Sequence, residues 1–252
     1  MTDTIGIALV YPDLLGTYGD GGNATILAQR LRWRGYKAEV LTIGAGQPVP
    51  DSCQLYMIGG GEDVPQATAA RDLNEQRSLH RAVDAGAAVL AVCAGMQIMG
   101  TSFMAGGKQH AGLGLLDCRS ISGTGPRAVG ELVVQPDGEL PTLTGYENHA
   151  GVTLLGDDAR PSGQVLHGIG NGDGTRTDGA VTGHVYGTYL HGPALARNPA
   201  LADLLLSWAV GPLEPLDDSE EEELRRERLD AAGEAAKPSR MARLAAGLTK
   251  GR

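Results

Sequence analysis

Four short strand-like segments punctuate the first half of the chain: the apolar runs Ile5–Val10, Leu55–Ile58 and Ala88–Val92, and Ala38–Ile43, which reads as a second strand. Runs of four to six apolar residues without alternation read as strands buried on both faces, the pattern of a parallel sheet. Helical periodicity fills the gaps. A helix is predicted over 24–34, with Asn23 as its cap and Gly35 as its stop, and a long one over 67–85, with Gly86 as its C′ residue. The alternation of strand and helix predicts a doubly wound, mostly parallel sheet flanked by helices. The second half reads differently. Ala128–Val134 and Ala180–Tyr189 are strand-like, and turns such as Gly170–Gly174 separate the segments, so antiparallel additions are expected there. Residues 198–210 read as a closing helix.

The pattern changes again near Glu214. Asp217, Asp218 and Glu220–Glu223 form an acidic run, and arginines follow at 225, 226 and 228. Acids before bases suit a helix dipole, and Ser219 with Glu222 fits a capping box. The division expected is a body over 1–213 and a charged extension over 214–252. The extension is read as a helix to about residue 236, then a solvated or disordered end beyond Pro238, with a partner-binding arm as the alternative.

Composition narrows the function classes. The chain has 252 residues, 42% of them hydrophobic, enough for one large α/β domain with an appendage. No apolar run approaches the roughly 18 residues of a spanning helix, and Met1–Gly6 lacks a secretory pattern. Cys53, Cys93 and Cys118 are an odd set without a C-x-x-C pair, which argues against a disulfide framework and a thiolate metal site and suits the cytoplasm. The net charge of −9 gives no nucleic-acid footprint.

The most informative stretch is Val92-Cys93-Ala94-Gly95-Met96-Gln97. An apolar strand runs into Cys93 and a helix follows, with small residues at 91, 94 and 95. That is the layout of a nucleophile elbow, which exposes a side chain at the C-terminal edge of the sheet. The helix N-terminus favours a thiolate, and its N–H groups suit a tetrahedral oxyanion. A thiol nucleophile needs a proton carrier. His191 stands out because it follows Tyr189-Leu190 at the end of an apolar run and Gly192-Pro193 terminates that run. His80 reads as a surface or packing residue and His184 as a core residue, His110 and His167 sit in Gly-rich loops with no supporting motif, and Cys53 and Cys118 read as structural. The segment Gly16–Gly21 has the spacing of a phosphate loop, but Gly22-Asn23 stands where Lys-Ser/Thr is required, so nucleotide binding by this chain is not expected.

The Cys-x-Gly-x-Gln motif resembles that of the class I glutamine amidotransferases, a flavodoxin-like fold family. Their thiolate attacks the side-chain amide of glutamine and releases ammonia. The resemblance implies that Gln97 lies beside bound glutamine, and that Gly60 and Gly61 of the triple glycine supply oxyanion N–H groups together with Ala94. One position departs from the family pattern. Many members carry His-x-Glu, whereas this chain has His191-Gly192-Pro193, as in the cobyric-acid-synthase-like branch. The orienting acid must come from elsewhere or be absent; Glu147 and a carboxylate of a partner protein are the candidates, with His149 as a supporting residue.

Further segments are similar to the glutaminase subunits, known as GatD, of two-component lipid II isoglutaminyl synthases. They are Tyr11–Asn23, Gly59–Asp63 with Gln66, and Gly145–His149. Arg127 lies where that family places its glutamine-binding arginine. This similarity covers roughly residues 5–210. It implies L-glutamine as substrate, no cofactor in this chain, and a heterodimer with a MurT-like Mur ligase that carries ATP and Mg and acts on lipid II. The competing expectations are an amidotransferase serving a corrinoid-type synthetase and a stand-alone Cys hydrolase.

Overall fold

A computed structural model describes residues 4–235. The first half contains β1 (Ile5–Val10), α1 (Gly22–Trp33), β2 (Ala38–Ile43), β3 (Leu55–Ile58), α2 (Asp63–Gln76), α3 (Ser78–Asp84), β4 (Ala88–Val92) and α4 (Ala94–Met99). The four strands have the bounds expected from sequence. Every residue of β3 and β4 is buried, which explains why neither alternates. Two helix expectations change. The long helix starts earlier, at Asp63, and breaks at Arg77, whose φ of 56° is left-handed and cannot continue a helix. Asn23 does not cap α1. It lies inside the helix, and its side-chain oxygen accepts the Leu195 N–H at 3.0 Å. Gly35 and Gly86 do end their helices, both at positive φ.

The remaining elements are β5 (Ser102–Ala105), β6 (Lys108–Ala111), β7 (Cys118–Ser122), β8 (Ala128–Gln135), β9 (Leu143–His149), β10 (Gly151–Leu155), β11 (Gly163–His167), β12 (Thr177–Asp178), β13 (Ala180–Thr182), β14 (Val185–Thr188), α5 (Ala194–Arg197), α6 (Pro199–Val210) and α7 (Ser219–Ala235). The run 180–189 is therefore a hairpin, turning at Gly183, rather than one strand. The main sheet has the order β13-β14-β4-β3-β1-β2, parallel except for the β13 edge. Two smaller sheets, β10-β7-β5-β6 and β12-β11-β8-β9, are mostly antiparallel. The second meets the chain at and just beyond β14, where the Thr188 hydroxyl donates to Asp178 of β12 at 2.6 Å and the His191 N–H donates to the Tyr146 carbonyl at 2.7 Å. The C-terminal ends of β1, β3, β4 and β14 thus share one edge, where open α/β sheets place ligands.

The described part of the charged extension is not solvated freely. α7 packs against α5, β8 and β9, and Ala232 is buried. Arg30 of α1, 2% exposed, donates to both carboxylate oxygens of Asp203 in α6 and of Asp218 just before α7, at 2.6–2.9 Å. Arg34 donates to the Glu214 carbonyl and Arg225 to the Thr142 carbonyl. The capping box does not form: Ser219 is already helical, its N–H is taken by Asp217, and Glu222 pairs with Arg225. The expected solvated end lies outside the described residues. Among them, no helix is long and apolar enough to cross a membrane.

Candidate active site

Cys93 sits between β4 and α4 with φ 52° and ψ −108°, a conformation that an L-residue adopts at a cost. Two contacts hold it there. Its N–H donates to the Thr188 carbonyl of β14 at 2.9 Å, and its carbonyl accepts the Gln97 N–H. The small neighbours are required by close approach: a Cβ on Gly95 would lie 2.5 Å from the Ile58 carbonyl oxygen. All six residues of α4 are buried, so the helix anchors the elbow in the core. Cys93 itself is 8% exposed and lines a cleft of about 190 Å3.

His191 is 2% exposed. Its Nδ1 lies 3.1 Å from Asp20 Oδ2, and its Nε2 has no hydrogen-bond partner of normal length among the described residues. Burial by itself would lower the imidazole pKa. Interactions with Asp20 and with Cys93 outweigh it, and the pKa is pushed up to about 9. Nδ1 being held by Asp20, Nε2 is the nitrogen left for the thiol. The Tyr18 ring packs edge-on against the imidazole at 4.7 Å.

The oxyanion assignment changes in one respect. The Gly60 N–H donates to Asp20 Oδ2 at 2.8 Å and is not available to a substrate. The triple glycine is packed under the loop over 11–20 and under His191: a Cβ on Gly59 would meet the Leu15 carbonyl at 2.1 Å, one on Gly61 the Leu14 carbonyl at 2.7 Å, and one on Gly60 His191 Cε1 at 2.6 Å. The N–H groups of Gly61 and Ala94 carry no internal hydrogen bond among the described residues, and both residues line the cleft.

Arg127 stands at the rim. Its guanidinium donates to the Asn148 side chain and carbonyl, and the Asn148 amide donates to the Tyr18 hydroxyl at 2.9 Å. A chain of contacts therefore runs from Arg127 to the ring beside His191. Gln97 lines the cleft, but its amide is largely engaged: it accepts from Gln66 at 2.8 Å and donates to the Tyr189 hydroxyl at 3.1 Å. His149 stacks on Tyr189 at 3.6 Å and forms part of the cleft wall.

Glu147 does not reach His191. Tyr146 is the residue of β9 bridged to His191, and alternation turns the next side chain to the other face. The Glu147 carboxylate accepts the N–H groups of Ile169 and Gly170, at 2.8 and 2.9 Å, and lies 3.6 Å from His149 Nε2. It holds a glycine-rich loop rather than the imidazole.

A model of the CobB/CobQ-like glutamine amidotransferase domain matches residues 6–199. The chain belongs to this glutamine amidotransferase family. It is 34% identical over 224 residues, 86% of its length and 90% of the relative's, to the lipid II isoglutaminyl synthase (glutamine-hydrolyzing) subunit GatD of Staphylococcus aureus. The GatD subunit of Streptococcus pneumoniae is 33% identical over 209 residues, 82% of this chain and 80% of that one. Among solved structures, the glutaminase domain of Trypanosoma brucei CTPS with bound acivicin superposes with a TM-score of 0.50 at 10% identity, covering 84% of this chain and 96% of that domain. At that identity the likeness concerns the fold.

Of the amidotransferase residues anticipated from sequence, the structure gathers Cys93, Ala94, Gly61, Gln97, Arg127 and His149 around one cleft and seats His191 beside it. It removes Gly60 as a donor and moves Glu147 away from His191. The residue missed is Asp20. It lies in the Gly19–Asn23 segment, which in sequence reads only against a phosphate loop and as a family signature. A carboxylate between glycines in a loop at the end of a buried strand was the available signal.

Proposed function

We propose that this chain is the glutamine-hydrolysing subunit of a lipid II isoglutaminyl synthase. The observation that carries the reading is the strained Cys93 elbow paired with His191 in a cleft rimmed by Arg127. Similarity to the two GatD subunits, running through both halves of that site, supports the acceptor. Arg127 grips the α-carboxylate of L-glutamine, a geometry suited to a guanidinium. The side-chain amide then lies over Cys93. The sulfur attacks its carbonyl carbon while Gly61 and Ala94 donate to the oxyanion. His191 passes a proton from Nε2 to the departing nitrogen, and the C–N bond breaks to give ammonia and a glutamyl thioester. Water, deprotonated by His191, attacks the thioester, and glutamate leaves with the Cys93 sulfur restored.

Ammonia in open water is protonated and lost, so it passes to a bound Mur-ligase-like partner. That partner, a MurT-like subunit carrying ATP and Mg, activates the D-glutamate carboxylate of lipid II and converts it to D-isoglutamine in the cytoplasm. The test is reconstitution: the chain with such a ligase, lipid II, ATP and glutamine. Amidation supported by glutamine must disappear with Cys93→Ala, yet persist when ammonium replaces glutamine. Loss of both, with a folded complex, would sink the division of labour.

A further inference from the structure

We propose that Asp20 is the positioning residue of the Cys93–His191 pair and that it fixes the imidazole and the glycine loop together, from within this chain. The Asp20 side chain is 1% exposed and makes three contacts. Oδ2 accepts from the Gly60 N–H at 2.8 Å and faces His191 Nδ1 at 3.1 Å, while Oδ1 accepts from the Gly192 N–H at 3.0 Å. One carboxylate therefore joins the loop before Gly61, the imidazole, and the backbone just after it.

The neighbouring residues show that the segment around Asp20 is built for this contact. Asn23, three residues on, accepts the Leu195 N–H, and a Cβ on Gly22 would lie 3.0 Å from Pro193 Cβ. Gly19–Asn23 thus grips residues 191–195 at several points, although about 170 positions separate them. The groups facing the imidazole are Asp20, Cys93 and the Tyr18 ring, and Asp20 is the carboxylate among them. Bonded to Asp20, Nδ1 carries its proton and Nε2 is directed to the sulfur, which is the tautomer the proton transfer requires. Such a carboxylate does the work of the acid missing after His191, without a partner.

The inference rests on the glutaminase reading, and the tests separate the two. Cys93→Ala must abolish glutamine hydrolysis by the complex; if it does not, the glutaminase reading itself fails. Asp20→Asn is expected to lower kcat ~10–100-fold, the scale of one hydrogen bond to a charged partner, with KM changed less than about threefold. Asp20→Glu should recover part of the loss. Iodoacetamide alkylation of Cys93, followed by peptide mapping without substrate or partner, gives an independent readout. The inflection of His191, pushed up to about 9, should fall by about one unit in Asp20→Asn, because removing the carboxylate destabilises the imidazolium. The profile should be the same with and without the ligase partner. Unchanged kcat and an unchanged alkylation profile in Asp20→Asn, with Cys93→Ala inactive, would overturn the proposal. If Asp20→Asn does not fold, 15N spectra of the His191 ring in the unsubstituted chain decide. A proton on Nδ1 and a bare Nε2 at a pH above about 10, where the ring is neutral, support it, and a bare Nδ1 there overturns it.

Discussion

Gly60→Ala isolates what the close packing of the site achieves. Gly60 does not have a positive φ, so alanine brings no backbone penalty there. The whole effect is steric. The added Cβ would lie 2.6 Å from His191 Cε1 and 3.2 Å from Asp20 Oδ2. Ordinary carbon–carbon contact is about 3.5–4.0 Å, so the ring must retreat by about 1 Å. It has no easy retreat, being 2% exposed, tied to Asp20 and backed by Tyr18. A displacement of about 1 Å at the reacting groups costs on the order of 100-fold in rate, and overpacking costs about 1–3 kcal/mol of stability. The expected outcome is a folded protein, a few degrees less stable, whose glutaminase kcat has fallen ~100-fold while glutamine binding persists. Steady-state ammonia release with the partner present measures the first, and a thermal melt the second. Gly233→Ala is the control, since a Cβ there meets nothing within 4 Å and lies in α7, far along the chain from the cleft residues. A Gly60→Ala enzyme within threefold of the parent would refute the account of how His191 is held.

If Arg127 holds the α-carboxylate of glutamine as proposed, Arg127→Ala should raise KM for glutamine ~10-fold or more with a smaller change in kcat, since that end of the substrate is away from the scissile amide; initial-rate kinetics separate the two. Glu147→Gln should cost about 1–3 kcal/mol in urea unfolding through its loop hydrogen bonds, yet leave kcat within about threefold, since the carboxylate bonds Ile169 and Gly170 rather than His191. Arg30→Met should destabilise by about 3–5 kcal/mol, the scale of a broken buried ion pair, because Asp203 and Asp218 lose their shared partner. In a chain ending at residue 213, which lacks Asp218, the same substitution should cost measurably less; an equal cost in both would show that the extension is not held by Arg30.

Much of this molecule can be read along the chain because parallel strands buried on both faces must be apolar throughout, and β3 and β4 therefore mark their own bounds, while the edge strand β2 tolerates Glu39 and Thr42. The elbow is equally local: strand, cysteine, small residues and helix follow one another within ten positions. Other features depend on contacts that no window of sequence contains. The break at Arg77 needs only one residue to turn left-handed, and nothing in an arginine announces it. The Arg30 clamp joins three segments spread over about 190 residues, so the extension from Glu214 resembles a solvated helix until its partners on α1 and α6 are seen. Asp20 and His191 meet only because β1 and β14 end on the same edge of the sheet. The exclusion of Gly60 from the oxyanion role follows from that same meeting. Glu147 misled for a simpler reason: it is one position from the residue that does touch the His191 backbone, and in a strand one position means the opposite face.

The central claim is that Cys93 carries a glutamyl group during turnover. The complex of this chain with the proposed ligase partner, acid-quenched in the steady state with isotopically labelled glutamine, should yield one labelled peptide, that containing Cys93, and the label should accumulate when ammonia release is faster than thioester hydrolysis. Label retained on another residue, or glutamine turned over at full rate by Cys93→Ala, would contradict the account.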